Sequence, residues 1–77
     1  MRPDMDEILD TRGLKCPLPA LKAEKRLESL PAGSRLTVLA TDPMARVDIP
    51  VLCNRLGHTH QSSEADGVYR FEITVTR

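Results

Sequence analysis

The sequence predicts an α+β domain, a two-layer βαβαββ sandwich in which two helices cover one face of a mixed four-stranded sheet. Three observations predict it. A strand-helix-strand pattern occupies the first half of the chain, a second proline-marked helix follows, and the tail reads as a hairpin around an Asp-Gly pair whose last strand alternates apolar and polar. At 77 residues the chain is one domain, and a domain this short buries only about 60% of the surface its unfolded chain exposes. A deep enclosed pocket is not expected. Residues 1–7 are expected to be a mobile N-terminal segment and the start of the first strand, the head running to about Met5, with 8–77 as the single domain.

Ile8 and Leu9 open the first strand, which ends in Asp10-Thr11-Arg12-Gly13, where the glycine can turn the chain with a positive φ. Ala20, Ala23, Leu27 and Leu30, with Leu21 beside them, then recur at intervals of three and four, the period of a helix. Lys22, Lys25, Arg26 and Glu28 fall outside that stripe. Pro31-Ala32-Gly33 stops the helix, and Leu36 to Thr41 carries the apolar and β-branched residues of a buried strand. The two strands are expected to be parallel with a right-handed crossover.

Asp42-Pro43 and Asp48-Ile49-Pro50 both look like a capping residue followed by an early proline. An interior Pro50 would cost about 3 kcal/mol in a continuous helix, so one turn followed by a main helix from about Asp48 to Leu56 is expected, with Gly57 as its stop and Val51, Leu52 and Leu56 buried. The tail reads as a hairpin: His58 to Ala65, the turn Asp66-Gly67 in type I′ geometry, then Val68 to Thr76. Tyr69, Phe71, Ile73 and Val75 alternate with Arg70, Glu72, Thr74 and Thr76, so one face packs and the other is wet; the polar strand before it is expected at an edge.

Eleven basic and eleven acidic side chains cancel, and the aromatic residues are Tyr69 and Phe71 alone. Neither a net positive field nor a stacking platform recommends nucleic acid as a direct partner. No run approaches the roughly 20 apolar residues of a membrane span, and the acidic start has no signal-peptide pattern. A soluble cytoplasmic protein without a membrane partner, monomeric and with reduced thiols, is expected.

The chemistry concentrates at Cys16-Pro17-Leu18-Pro19. A residue before proline is pushed towards extended backbone, the conformation of an N-cap, so Cys16 is expected to cap the first helix with Pro17 at N1 and Pro19 at N3. Leu18 N–H would then be the amide best placed to reach the sulfur. The helix dipole, with Arg12 and Lys15 close in sequence, would favour the thiolate, and so a nucleophile. The bland alternative is a small buried hydrophobe at an ordinary helix start.

Leu9-Asp10, Gly13-Leu14, Cys16-Pro17-Leu18-Pro19, Leu21-Lys22, Lys25, Asp42-Pro43, Asp48-Ile49-Pro50 and Gly57-His58 together resemble the TusA/SirA-like family of sulfur carriers, from about Ile8 to the end. The resemblance implies a βαβαββ fold like the C-terminal domain of bacterial translation initiation factor three. It implies that Cys16 takes sulfur as a persulfide from a cysteine desulfurase or rhodanese and relays it to an acceptor protein of tRNA thiolation, molybdenum cofactor assembly or sulfur oxidation. Such transfer needs no metal or organic cofactor. Arg12, Lys15, Pro17, Pro19, Lys22 and Asp42 are candidate supporting or partner-contact residues, each also readable as structure or solvated charge.

Cys53 reads as core packing, with a resolving thiol as the sharper alternative. His58 and His60 lack the close ligand spacing of a zinc site; His58 reads as local stabilisation at a helix C-terminus and His60 as part of the polar edge strand. Asp42 and Asp48 both read as caps. Two functions compete with sulfur transfer: a non-catalytic interaction or regulatory adapter, and a redox sensor pairing Cys16 with Cys53.

Overall fold

The computed structural model describes residues 6–76; the mobile head expected at Met1 to Met5 lies outside the described residues. Six elements follow one another: β1 (Asp6–Asp10), α1 (Leu18–Glu28), β2 (Arg35–Ala40), α2 (Ala45–Leu56), β3 (Thr59–Ala65) and β4 (Val68–Thr74). The sheet order is β1-β2-β4-β3, with β1 parallel to β2 and the other two pairings antiparallel. This is the mixed βαβαββ sandwich that the residue pattern predicts.

The core lies between the sheet and the helices. Leu36, Val38 and Ala40 of β2 and Phe71 and Ile73 of β4 alternate inward, as a period of two requires, and meet Ala23 and Leu27 of α1 and Ala45, Ile49, Leu52 and Cys53 of α2. The opposite face carries Arg35, Arg70 and Glu72 at the alternate positions and is exposed. Arg26 grips Glu7 with both guanidinium nitrogens, at 2.8 and 2.6 Å, tying α1 to the edge strand β1. Polar β3 lies at the other edge. Asp66 and Gly67 both adopt positive φ, 54° and 78°, as a type I′ turn demands.

The second helix differs from expectation in its start and in its buried face. It begins at Ala45, and Pro50 lies inside it. Its first turn is tight: Ala45, Arg46 and Val47 N–H donate three residues back, to Asp42, Pro43 and Met44 carbonyls, before Asp48 N–H makes the first four-residue bond to Met44. The expected separate turn is thus fused to the helix. Because the helix starts earlier, its inward stripe is Ala45, Ile49, Leu52 and Cys53, while Val51, expected in the core, is 56% exposed and Leu56 only half-buried. Gly57 ends the helix at φ 83°, in the left-handed conformation expected of a C-terminal stop.

Candidate functional site

The loop from Thr11 to Pro17 is stitched to the end of β2. Buried Thr11 donates its N–H and its hydroxyl to Leu39 carbonyl, at 2.8 and 2.6 Å, and Gly13 N–H donates to Thr41 Oγ1 at 2.9 Å. Leu14 N–H closes a turn on Thr11 carbonyl, and Leu18 N–H closes another on Lys15 carbonyl at 2.8 Å. Because β1 and β2 are parallel, the loops that follow them leave the same end of the sheet. Cys16 from the first loop therefore meets Asp42 from the second connection and Asp48 from the start of α2. Cys16 N–H donates to Asp42 Oδ2, and the Cys16 thiol donates to Asp48 Oδ2 at 2.9 Å.

This geometry corrects two expectations. Helix α1 starts at Leu18 with Pro17 as its N-cap, so Cys16 stands one residue outside the cap and Pro19 occupies the second helical position, not the third. A proline there loses no helical bond, since the first-turn amides have no intrahelical acceptor. The Cys16–Pro17 peptide is cis. Leu18 N–H is engaged by Lys15 carbonyl, so the sulfur faces the second helix, not its own helix axis. The second correction concerns charge. The hydrogen bond to Asp48 comes first, followed by partial desolvation and the negative charges of Asp48 and Asp42; together they hold the Cys16 thiol above its usual range. The direction is opposite to the expected one, because acidic neighbours, distant in sequence, act on the thiol more strongly than the cations near in sequence.

Of those cations one is engaged elsewhere and the other is exposed. Arg12 donates through Nε and Nη2 to Asp10, at 2.9 and 2.7 Å, and this fork lowers the Asp10 carboxyl to about 2. Lys15 is exposed, and its charge joins two N–H donors, from Cys16 and Met44, in lowering Asp42. Pro17 is exposed beside Cys16, Pro19 is buried in the first turn of α1, and Lys22 is exposed in a separate shallow groove with Leu9 and Lys25. Asp42 does hold a turn: Oδ1 accepts Met44 N–H at 3.1 Å. Asp48 does not cap. It stands at the fourth helical position, and its carboxylate receives the thiol.

Cys16 is exposed at the head of a groove of about 280 Å³ between the two helices, lined also by Pro17, Leu21, Asp48, Val51 and Arg55. Leu18, Leu21, Val47 and Val51 are each between 44% and 56% exposed, an apolar display that the helical period alone did not reveal. Cys53 is fully buried in the core, and burial pushes its thiol up to about 11. His58 is buried too, but as an acceptor: Nδ1 receives Thr76 N–H at 3.2 Å, and Thr76 Oγ1 donates to Gly57 carbonyl. Both bonds tie the end of α2 to the chain just past the last strand. His60 lies half-buried on β3. Among the described residues no three His, Cys, Asp or Glu side chains converge as metal ligands would.

Cys16 is thus displayed at a loop-helix corner, at the head of an open groove between the two helices. The family model described as Sulfurtransferase TusA matches residues 7–75, and the chain belongs to that family. It is 46% identical over 69 residues to a sulfur carrier protein TusA of Pseudomonas putida, covering 88% of this chain and 86% of that one. It is 43% identical over 75 residues to the protein of the same name in Pseudomonas aeruginosa, covering 95% and 94%. Its fold matches the crystal structure of a SirA-like protein from Desulfitobacterium hafniense with a TM-score of 0.82 at 29% identity, covering 92% of this chain and 99% of that one.

Proposed function

We propose that this protein is a sulfur carrier that accepts sulfur on Cys16 as a persulfide and relays it to an acceptor protein. The observation that carries this reading is the exposed Cys16 thiol, held at the corner between β1 and α1 and rimmed by exposed apolar residues, in a chain of the TusA family. The Cys16 sulfur, once deprotonated, attacks the outer sulfur of a donor persulfide and later yields that sulfur to an acceptor thiolate. The donor would be a cysteine desulfurase or rhodanese, and the acceptor a protein of tRNA thiolation, molybdenum cofactor assembly or sulfur oxidation. A monomer working in the cytoplasm fits this role; among the described residues no helix is long and apolar enough to cross a membrane.

Incubation with a cysteine desulfurase and cysteine should add the mass of one sulfur atom to Cys16, reversibly under reductant. The Cys16→Ser protein should gain nothing; if it gained the sulfur, Cys16 would not be the carrier atom. The adapter reading predicts instead that Cys16→Ala leaves the cellular phenotype intact.

A further inference from the structure

We propose that Asp48 is a proton latch on Cys16, which favours the empty carrier and makes the loaded one readier to give its sulfur away. The inference rests on the carrier reading above and adds a catalytic residue to it, since Asp48 Oδ2 touches the reacting sulfur at 2.9 Å.

The hydrogen bond exists only while the sulfur carries a proton. A thiol donating to an ionised carboxylate makes a charge-assisted bond, stronger than one between neutral partners. When sulfur arrives, the bond from Sγ to the outer sulfur forms and the donor's S–S bond breaks. The proton of Sγ ends on the departing donor thiolate, and no electrons are gained or lost overall. Asp48 neither gains nor loses a proton in the net exchange.

What changes is what faces that carboxylate. Loaded Sγ has no hydrogen to donate, and the outer sulfur, more acidic than a thiol, brings negative charge beside Asp48 and Asp42. The latch bond is lost and replaced by like-charge repulsion. Loading is thereby disfavoured relative to the empty thiol, and the cargo sulfur is turned away from α2 towards whatever docks on the exposed corner. A carrier needs this bias, because a sulfur held too well would not be passed on.

The surroundings do not cancel the effect. From the β1-α1 loop, Lys15 acts on Asp42, and Arg12 is forked on Asp10. From the two helices, Glu24 and Arg55 line the same groove and pair with each other at 3.4 Å. Among the described residues no cation pairs with Asp48. The lowered acidity of the thiol described above agrees with this geometry.

The test is Asp48→Asn, which keeps the side chain's size and removes its charge, with folding checked by circular dichroism. Uncharged iodoacetamide is applied across pH, and alkylation is read at Cys16 by peptide mass spectrometry, so that Cys53 does not contribute. At pH 7.5 the variant should react about five to ten times faster than the wild type, with the two converging at high pH, as a downward displacement of the thiol requires. In a second measurement, glutathione persulfide and glutathione are equilibrated with each protein. The ratio of loaded to empty Cys16 should be about three to ten times higher in the variant.

Equal alkylation profiles and equal loading ratios would overturn the latch. If the wild type takes sulfur from a desulfurase yet the variant alkylates no faster, the latch falls and the carrier reading stands. Faster alkylation of the variant, with a wild type that never gains sulfur, keeps Asp48's hold on the thiol and removes the carrier reading.

Discussion

Arg12 illustrates how a residue near the thiol in sequence can be remote from its chemistry. Its guanidinium is forked on Asp10, and the Asp10 carboxyl is lowered to about 2 as a result. Arg12→Ala should return that carboxyl towards the ordinary range near 4, read from its carbon chemical shift, and leave the alkylation profile of Cys16 unchanged. The sign for stability follows from linkage. A carboxyl depressed in the folded state adds stability that is fully present above its unfolded value and is lost as pH falls from about 4 through about 2. Wild type and Arg12→Ala should therefore differ in urea stability near neutrality and converge in acid.

At the same scale, the placement of Cys16 at a strand-to-helix corner was legible, because Cys-Pro-x-Pro follows a short strand and opens a helical period. Its acidic neighbours were not. Asp48 lies 32 residues from Cys16, and a carboxylate two residues before a proline looks like any helix cap. The usable signal was topological: two parallel neighbouring strands send the loops after them to one end of the sheet, which brings Asp42 and the start of α2 with Asp48 to the cysteine.

Among the elements, α1 and the hairpin followed from periodicity and turn chemistry, while α2 did not. Its two proline signals were weighed by the cost of an interior proline, yet the helix runs from Ala45 through Pro50. The cost is borne because the first turn is already tightly wound and because Ala45 and Ile49 gain burial against the sheet only if the helix starts early. Tertiary packing outweighed local preference, which also turned Val51 outward. Pro50→Ala should restore the bond from residue 50 to Arg46 carbonyl and raise stability by about 1–3 kcal/mol. Urea unfolding checks it, and a loss of stability would mean that packing of the half-buried ring matters more than the missing bond.

For the molecule as a whole, the layer architecture was readable because each strand and helix carries its apolar residues on one side, and only one stacking buries them all. The exposed apolar corner around Cys16 was not readable, since Leu21 and Val51 look like core residues until both helices are oriented. Their side chains border the groove that begins at the thiol, so the exposed apolar surface and Cys16 share one corner of the molecule.

The register of the sheet places Asp6 beside Arg35 and Arg35 beside Thr74, at the end opposite to the connections that bear Cys16 and Asp42. Both ends of the described chain thus leave the domain from its back. A polypeptide spliced on before Asp6 or after Thr76, or a surface gripping either tag, would not shade the sulfur. Fusions at each end should alkylate at Cys16 as fast as the unfused protein, which makes the domain suited to being carried as a cassette within larger assemblies.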